Sequence, residues 1–153
     1  MFEPVDFYEI DTLLTDEQKL IRDSIREFVN QEITPNIEEW YEKNHFPMDI
    51  VKKMGNIGIF GPTVSTEYGG GGLDNISYGL IMQEIERGDS GMRSTASVQS
   101  SLVMFPIEEY GSEEQKRKFL PKLATGEMLG CFGLTEPDYG SNPGGMITKI
   151  EDK

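Results

Sequence analysis

Capped segments with an apolar stripe recur along the sequence, separated by short joins, and this repetition restricts the fold. In the first segment, the Thr15 hydroxyl can accept a hydrogen bond from the Gln18 amide while the Gln18 side chain reaches back to the Thr15 amide, which is a capping box. Pro35 then ends or kinks the run. Apolar residues recur at helical spacing between these points, at Ile21, Ile25, Phe28, Val29 and Ile33. The pattern predicts a helix with one buried face.

Later segments repeat this pattern. Asp74 can cap a helix that ends near Gly88, and Ser112 can cap another that runs to Leu123 and closes at Gly126. Shorter helices are predicted over residues 36–41 and 47–54, and a mostly apolar one over residues 94–110, broken by Pro106. Residues 55–68 are predicted to be a turn-rich crossing. Helices joined this closely predict an all-α bundle of about six helices over residues 1–126.

The character of the sequence changes at Glu127, where glycine and β-branched residues replace the helical period. Strands are predicted over residues 128–134 and 146–150, with a long turn over residues 135–145. The predicted fold is therefore mainly α, with an N-terminal helical bundle followed by the first strands of an incomplete β-domain over residues 127–153. Because two strands are marginal alone, we expect a fragment or a truncated gene product.

Charge and composition exclude several classes of function. With 27 acidic and 14 basic residues the net charge is −13, which opposes binding to nucleic acid or to an anionic membrane surface. The single cysteine, Cys131, and single histidine, His45, can build neither a disulfide framework nor a metal cluster. The N-terminus has no basic or arginine-rich targeting pattern, and no apolar run has membrane-spanning length. We expect a cytoplasmic protein without a metal site.

Residues 131–146 carry the most informative chemistry. A predicted strand ends there in a loop with threonine and serine hydroxyls and with several glycines, whose amides a ligand can approach closely. Such a loop is suited to lining a planar cofactor. The alternative is a polar hairpin turn.

This segment resembles the acyl-CoA dehydrogenase family, whose members carry Thr-Glu-Pro-x-x-Gly-Ser-Asp at the start of the middle β-domain. The resemblance extends to the capped first helix and to residues 67–70, 111–116 and 120–121. Two residues depart from the family pattern: Tyr139 stands where a small residue is usual, and Asn142 replaces the aspartate. The resemblance implies that the loop binds FAD through Phe132, Gly133, Leu134, Thr135, Glu136, Pro137, Asp138, Tyr139, Gly140 and Ser141.

The resemblance further implies that Thr135 lies at the pyrimidine edge of the flavin and that Ser141 also touches the acyl-CoA. Hydroxyls and amides fixed at this edge stabilise the negative charge that develops when hydride arrives.

Residues 86–104 resemble the glutaryl-CoA dehydrogenase branch in particular. Glutaryl-CoA ends in a carboxylate, which must be paired if it is buried, and arginine offers a planar fork suited to it. The resemblance implies that Arg93 and Ser94 bind the substrate, and Glu86 could orient the guanidinium. The alternative is that Arg93 and Glu86 are surface charges on solvated helix faces.

The resemblance also implies the reaction. An acyl-CoA thioester is dehydrogenated between its α and β carbons, with decarboxylation to crotonyl-CoA in some glutaryl-CoA enzymes, and an electron-transfer flavoprotein receives the electrons. The family is generally homotetrameric, and its catalytic base is a glutamate that would lie beyond Lys153. We therefore assign no catalytic residue and expect residues 1–153 alone to be inactive. Alternatives are an acyl-CoA dehydrogenase or oxidase with another substrate, and a non-catalytic helical module or remnant.

Overall fold

Helices account for most of the computed structural model, which describes residues 5–151. The α-helices are α1 (Asp16–Phe28), α2 (Ile37–Glu42), α3 (Met48–Asn56), α4 (Asn75–Gly88), α5 (Ser90–Ser97), α6 (Phe105–Tyr110) and α7 (Glu113–Ala124). A π-helical turn, Val29–Ile33, extends α1, and another, Val98–Met104, joins α5 to α6. Short 3-10 turns lie at Ile10–Leu13, Thr66–Tyr68 and Pro143–Gly145. The prediction of a mainly α fold is confirmed.

Side-chain caps set the helix starts. Both capping boxes are formed: Thr15 Oγ1 accepts from the Gln18 amide at 3.2 Å, and Ser112 Oγ accepts likewise from the Gln115 amide at 3.3 Å. Asp74 caps α4 by accepting from the Ser77 amide at 2.7 Å. Gln18 Nε2 also donates to the second oxygen of Asp74 at 2.7 Å. The first turns of α1 and α4 are thereby joined side by side.

The core lies between α1, α4 and the helices that follow. On α1 and its extension, Ile25, Val29 and Ile33 are buried, and they belong to the same apolar cluster as Ile81 and Ile85 of α4. Gly88 permits this packing at the end of α4, because a β-carbon there would lie 2.6 Å from Val29 Cγ1. No helix among residues 5–151 has the length and apolarity needed to cross a membrane.

Pro106 does not break its helix as the sequence predicted. The chain stays helical from Ser90 to Tyr110 because the π-helical turn shifts the hydrogen-bond register ahead of the proline. The Phe105 amide donates to the Ser100 carbonyl, five residues back. Pro106 then lies in the first turn of α6, where its missing N–H is tolerated.

Residues 127–151 form no ladder of strands, contrary to the prediction for residues 128–134 and 146–150. The one isolated bridge in the part of the chain that the structure describes joins Glu136 to Tyr139. A strand needs a neighbour to bond its amides and carbonyls. Side chains serve several of those groups here: the Glu136 carboxylate accepts from the amides of Ile147 and Thr148 at 3.0 and 2.7 Å. The domain boundary at residue 126 remains a prediction.

Candidate functional site

A sharp turn between α4 and α5 brings Glu86 and Arg93 together. Asp89 follows the last residue of α4 and caps α5, its carboxylate accepting from the Met92 amide at 2.7 Å. Arg93 Nε then donates to the Glu86 carboxylate, and Arg93 Nη1 donates to Ser97 Oγ at 3.3 Å. Glu86 and Ser97 therefore hold two of the three guanidinium nitrogens in place.

The guanidinium of Arg93 retains capacity for an anion. Its side chain is 36% exposed, and Nη2 makes no hydrogen bond to residues 5–151. Ser94 is exposed at the next position of α5. Ser97 was not singled out from the sequence, although its spacing of four residues from Arg93 on a helix places both on one face. Arg93 and Ser97 therefore share one helix face, on which the arginine is already oriented.

Glu84 offers a contrast, since its carboxylate is closed to ligands. Its side chain is 1% exposed and accepts from Arg26 Nη2 at 2.7 Å, Arg26 Nε at 3.1 Å and Arg87 Nε at 3.0 Å. Arg87 Nη2 also donates to Asn30 at 2.9 Å. Burial raises the pKa of Glu84, but the hydrogen bonds from Arg26 and Arg87 outweigh burial and hold the pKa below its ordinary value. This cluster ties α4 to α1 and was not predicted.

The predicted cofactor-binding residues form an open loop. Its hydroxyl-bearing members, Thr135 and Ser141, are exposed. A β-carbon on Gly133 or Gly140 would meet no atom within 4 Å, so both backbones are open to approach. The other members are exposed or half-buried: Phe132, Leu134, Glu136, Pro137, Asp138 and Tyr139. Hydroxyls and accessible backbone fit the polar edge of a planar cofactor.

Bonds and packing of Glu136 and Tyr139 hold the shape of this exposed loop. Hydrogen bonds from the backbone amides of Ile147 and Thr148 lower the pKa of Glu136. The Tyr139 amide donates to the Glu136 carbonyl at 3.1 Å. The Tyr139 ring lies over Gly145, where a β-carbon would be 2.5 Å from a ring carbon. The unusual tyrosine is therefore packed across its own loop.

The structure does not join the two groups of predicted residues directly. Within the described part of the chain, no hydrogen bond or ion pair links Glu86, Arg93 or Ser94 to residues 132–141. A separate aromatic groove of about 360 Å³ lies beside the start of α5, and none of the predicted residues lines it. Its lining includes Trp40, His45, Phe46 and Met92.

Comparison with known proteins gives consistent matches over nearly the whole chain. Residues 15–127 match the acyl-CoA dehydrogenase N-terminal domain. The solved glutaryl-CoA dehydrogenase of Mycobacterium smegmatis in complex with FADH2 is 47% identical, with a TM-score of 0.89 over 95% of this chain and 38% of that one. The glutaryl-CoA dehydrogenase of Desulfococcus multivorans is 39% identical over 147 residues, which are 94% of this chain and 38% of its own length.

A relative with another substrate label is equally similar. The short-chain specific acyl-CoA dehydrogenase of Clostridium acetobutylicum is 43% identical over 141 residues, covering 91% of this chain and 37% of its own length. The chain therefore spans 37–38% of the length of these relatives. Overall identity alone does not separate the two substrate labels.

Proposed function

The chain belongs to the acyl-CoA dehydrogenase family, and we propose that the protein is an FAD-dependent dehydrogenase that oxidises glutaryl-CoA between the α and β carbons. The choice of glutaryl-CoA is supported by the geometry of Arg93, whose guanidinium is oriented by Glu86 and Ser97 and still has a free edge. A fatty acyl chain ends in a methyl group, which gains no binding energy from a guanidinium. A dicarboxylic thioester presents a carboxylate that a fixed guanidinium binds strongly.

The cofactor part of the proposal depends on the loop at residues 132–141. Thr135 and Ser141 present hydroxyls there, and Gly133 and Gly140 leave the backbone open to close approach. These residues would hold the pyrimidine edge of FAD, which when bound supplies the acceptor for the hydride leaving the β carbon. Glu136 keeps the loop in shape by accepting from the amides of Ile147 and Thr148 beyond it, and the Tyr139 amide donates to the Glu136 carbonyl within it.

We assign none of the best-placed carboxylates as the base that removes the α proton. Glu86 is paired with Arg93, Glu84 is buried between two arginines, and Glu136 accepts from two backbone amides. Each of these carboxylates is already engaged by donors of this chain. We propose no base among residues 1–153 and expect these residues by themselves to turn over no acyl-CoA.

The same site serves two outcomes, release of an unsaturated dicarboxylic thioester or loss of carbon dioxide to give crotonyl-CoA, and product analysis distinguishes them. An electron-transfer flavoprotein is the proposed acceptor. Oxygen consumption without it would indicate an oxidase instead.

The test is the substrate preference of the intact protein after replacement of Arg93. In Arg93→Met the charge-assisted contact with the distal carboxylate is lost, at a cost of about 1.5–3 kcal/mol, which is roughly 10- to 150-fold in kcat/KM for glutaryl-CoA. Butyryl-CoA lacks that carboxylate, so its turnover should change little. Steady-state kinetics with both thioesters gives the ratio.

Arg117→Met is the matched control, because Arg117 is also a partly exposed arginine paired with glutamates, Glu67 and Glu113, but lies on α7. It should leave both substrates unchanged. Equal losses on glutaryl-CoA and butyryl-CoA in Arg93→Met would refute the substrate assignment.

A further inference from the structure

Gln99 is a buried amide whose hydrogen bonds all go to the main chain outside its own helix. It lies in the π-helical turn Val98–Met104 and is 2% exposed. Its Nε2 donates to the carbonyls of Leu123 and Met128 at 2.8 and 2.9 Å, and its Oε1 accepts from the Gly130 amide at 2.9 Å. Two donors and one acceptor are satisfied at once, which a primary amide can do and a carboxylate cannot.

Two of these bonds serve the backbone of residues 128–130, just before the loop, as a neighbouring strand would. Met128 and Gly130 are two residues apart, and in extended chain such residues direct their bonding groups to the same side. Gln99 binds both from that side. Gly130 also lacks room for a side chain, because a β-carbon there would collide with Val103. The backbone is thus fixed in register and pressed against the helix just before Cys131.

The fixed point lies immediately upstream of the proposed flavin contacts, which begin at Phe132. From Gly130 onward the chain reaches Thr135 and Ser141 through a loop held by Glu136 and Tyr139. A one-residue shift at Gly130 would turn each following side chain to the opposite side. The position of the hydroxyls therefore depends on the anchor before them.

We propose that Gln99 is a positioning residue that sets the register of the loop at residues 132–141 against the flavin. The inference rests on the proposed function, since the flavin contacts belong to that proposal. Gln99 touches neither substrate nor cofactor in this role. Its helical run also carries Arg93, so one rigid element fixes both the carboxylate-binding guanidinium and the start of the cofactor loop.

The test compares two neighbouring buried polar residues in the intact protein. Gln99→Met keeps the volume and removes all three bonds to the 123–130 backbone. Ser100→Ala is the matched control, because Ser100 is also buried but its hydroxyl accepts from the Gly61 amide at 3.0 Å and does not bind that backbone. The readouts are amide hydrogen exchange at Gly130, the dissociation constant for FAD and the visible circular dichroism of bound flavin.

In Gln99→Met we expect roughly tenfold or faster exchange at Gly130, since several modest hydrogen bonds are lost together. We also expect roughly tenfold or weaker FAD binding and an altered flavin dichroism band. Ser100→Ala should keep the wild-type dichroism and FAD affinity, whatever its effect on thermal stability. Wild-type FAD affinity and dichroism in Gln99→Met would overturn the positioning role while leaving the proposed function intact.

Absence of FAD binding in the wild-type protein would instead overturn the proposed function and this inference with it. If Gln99→Met fails to fold, Gly130→Ala displaces the same backbone by collision with Val103, with Gln99 unchanged. It should show the same weakened FAD binding and altered dichroism, and a wild-type result there would overturn the proposal.

Discussion

The Glu84 cluster makes a quantitative prediction about stability. In Glu84→Gln the shape is kept, but the charge is lost and an amide NH2 is turned toward guanidinium donors. Removing one partner of a buried ion pair generally costs about 3–5 kcal/mol. Here the arginine side chains left behind, Arg26 and Arg87, are 44% and 40% exposed, so water can reach them. We therefore expect a smaller loss of about 2–3 kcal/mol in the free energy of unfolding.

Urea denaturation followed by far-ultraviolet circular dichroism measures this loss on residues 1–153. For a chain of this size it corresponds to a fall of about 4–12 °C in the thermal midpoint. Glu67→Gln is the control, because Glu67 also pairs with an arginine, Arg117, but both side chains are exposed. A urea midpoint for Glu84→Gln equal to that of the control would refute the view that this cluster holds α4 on α1.

Two further predictions concern pH and backbone packing. Because the pKa of Glu84 is lowered in the folded state, the stability that its charge contributes is complete above the unfolded pKa of about 4.5 and is lost as the pH falls through the folded-state pKa. The difference in free energy of unfolding between wild type and Glu84→Gln should therefore narrow below about pH 4.5. A difference that stays constant down to pH 3 would contradict this. Gly88→Ala should lower the free energy of unfolding by about 1–3 kcal/mol, because its β-carbon would press on Val29. Gly79→Ala should raise it by about 0.5–1 kcal/mol, because a β-carbon there meets nothing within 4 Å and alanine favours the helix α4. Chemical denaturation of both variants checks the opposite signs.

Features that depend on a few neighbouring residues could be predicted from the sequence. The caps at Thr15, Asp74 and Ser112 are local hydrogen bonds within one helical turn, and all three are formed. The strand predictions needed a partner strand, which residues 5–151 do not provide, and side chains serve part of that backbone instead. The interruption at Pro106 was wrong because a preceding shift in hydrogen-bond register is not visible in residue type.

In the candidate site, too, contacts between residues close in sequence could be predicted and long-range contacts could not. Glu86 and Arg93 lie seven residues apart across one turn, and the structure joins them. The bonds of Gln99 to Met128 and Gly130 span 29 and 31 residues, and the pairing of Arg26 with Glu84 spans 58. Nothing in residue spacing specifies contacts at that separation. The roles of Arg93, Ser94 and residues 132–141 toward ligands remain predictions.

The proposed function requires this protein to use FAD to dehydrogenate a dicarboxylic thioester that Arg93 recognises. Anaerobic addition of glutaryl-CoA to the intact flavin-loaded protein, followed by absorbance near the visible flavin maximum, tests it in one measurement. We predict bleaching of the flavin band with glutaryl-CoA in the wild type and a much slower bleaching in Arg93→Met. An unchanged flavin spectrum with glutaryl-CoA, or equally fast bleaching by butyryl-CoA and glutaryl-CoA in the wild type, would contradict it.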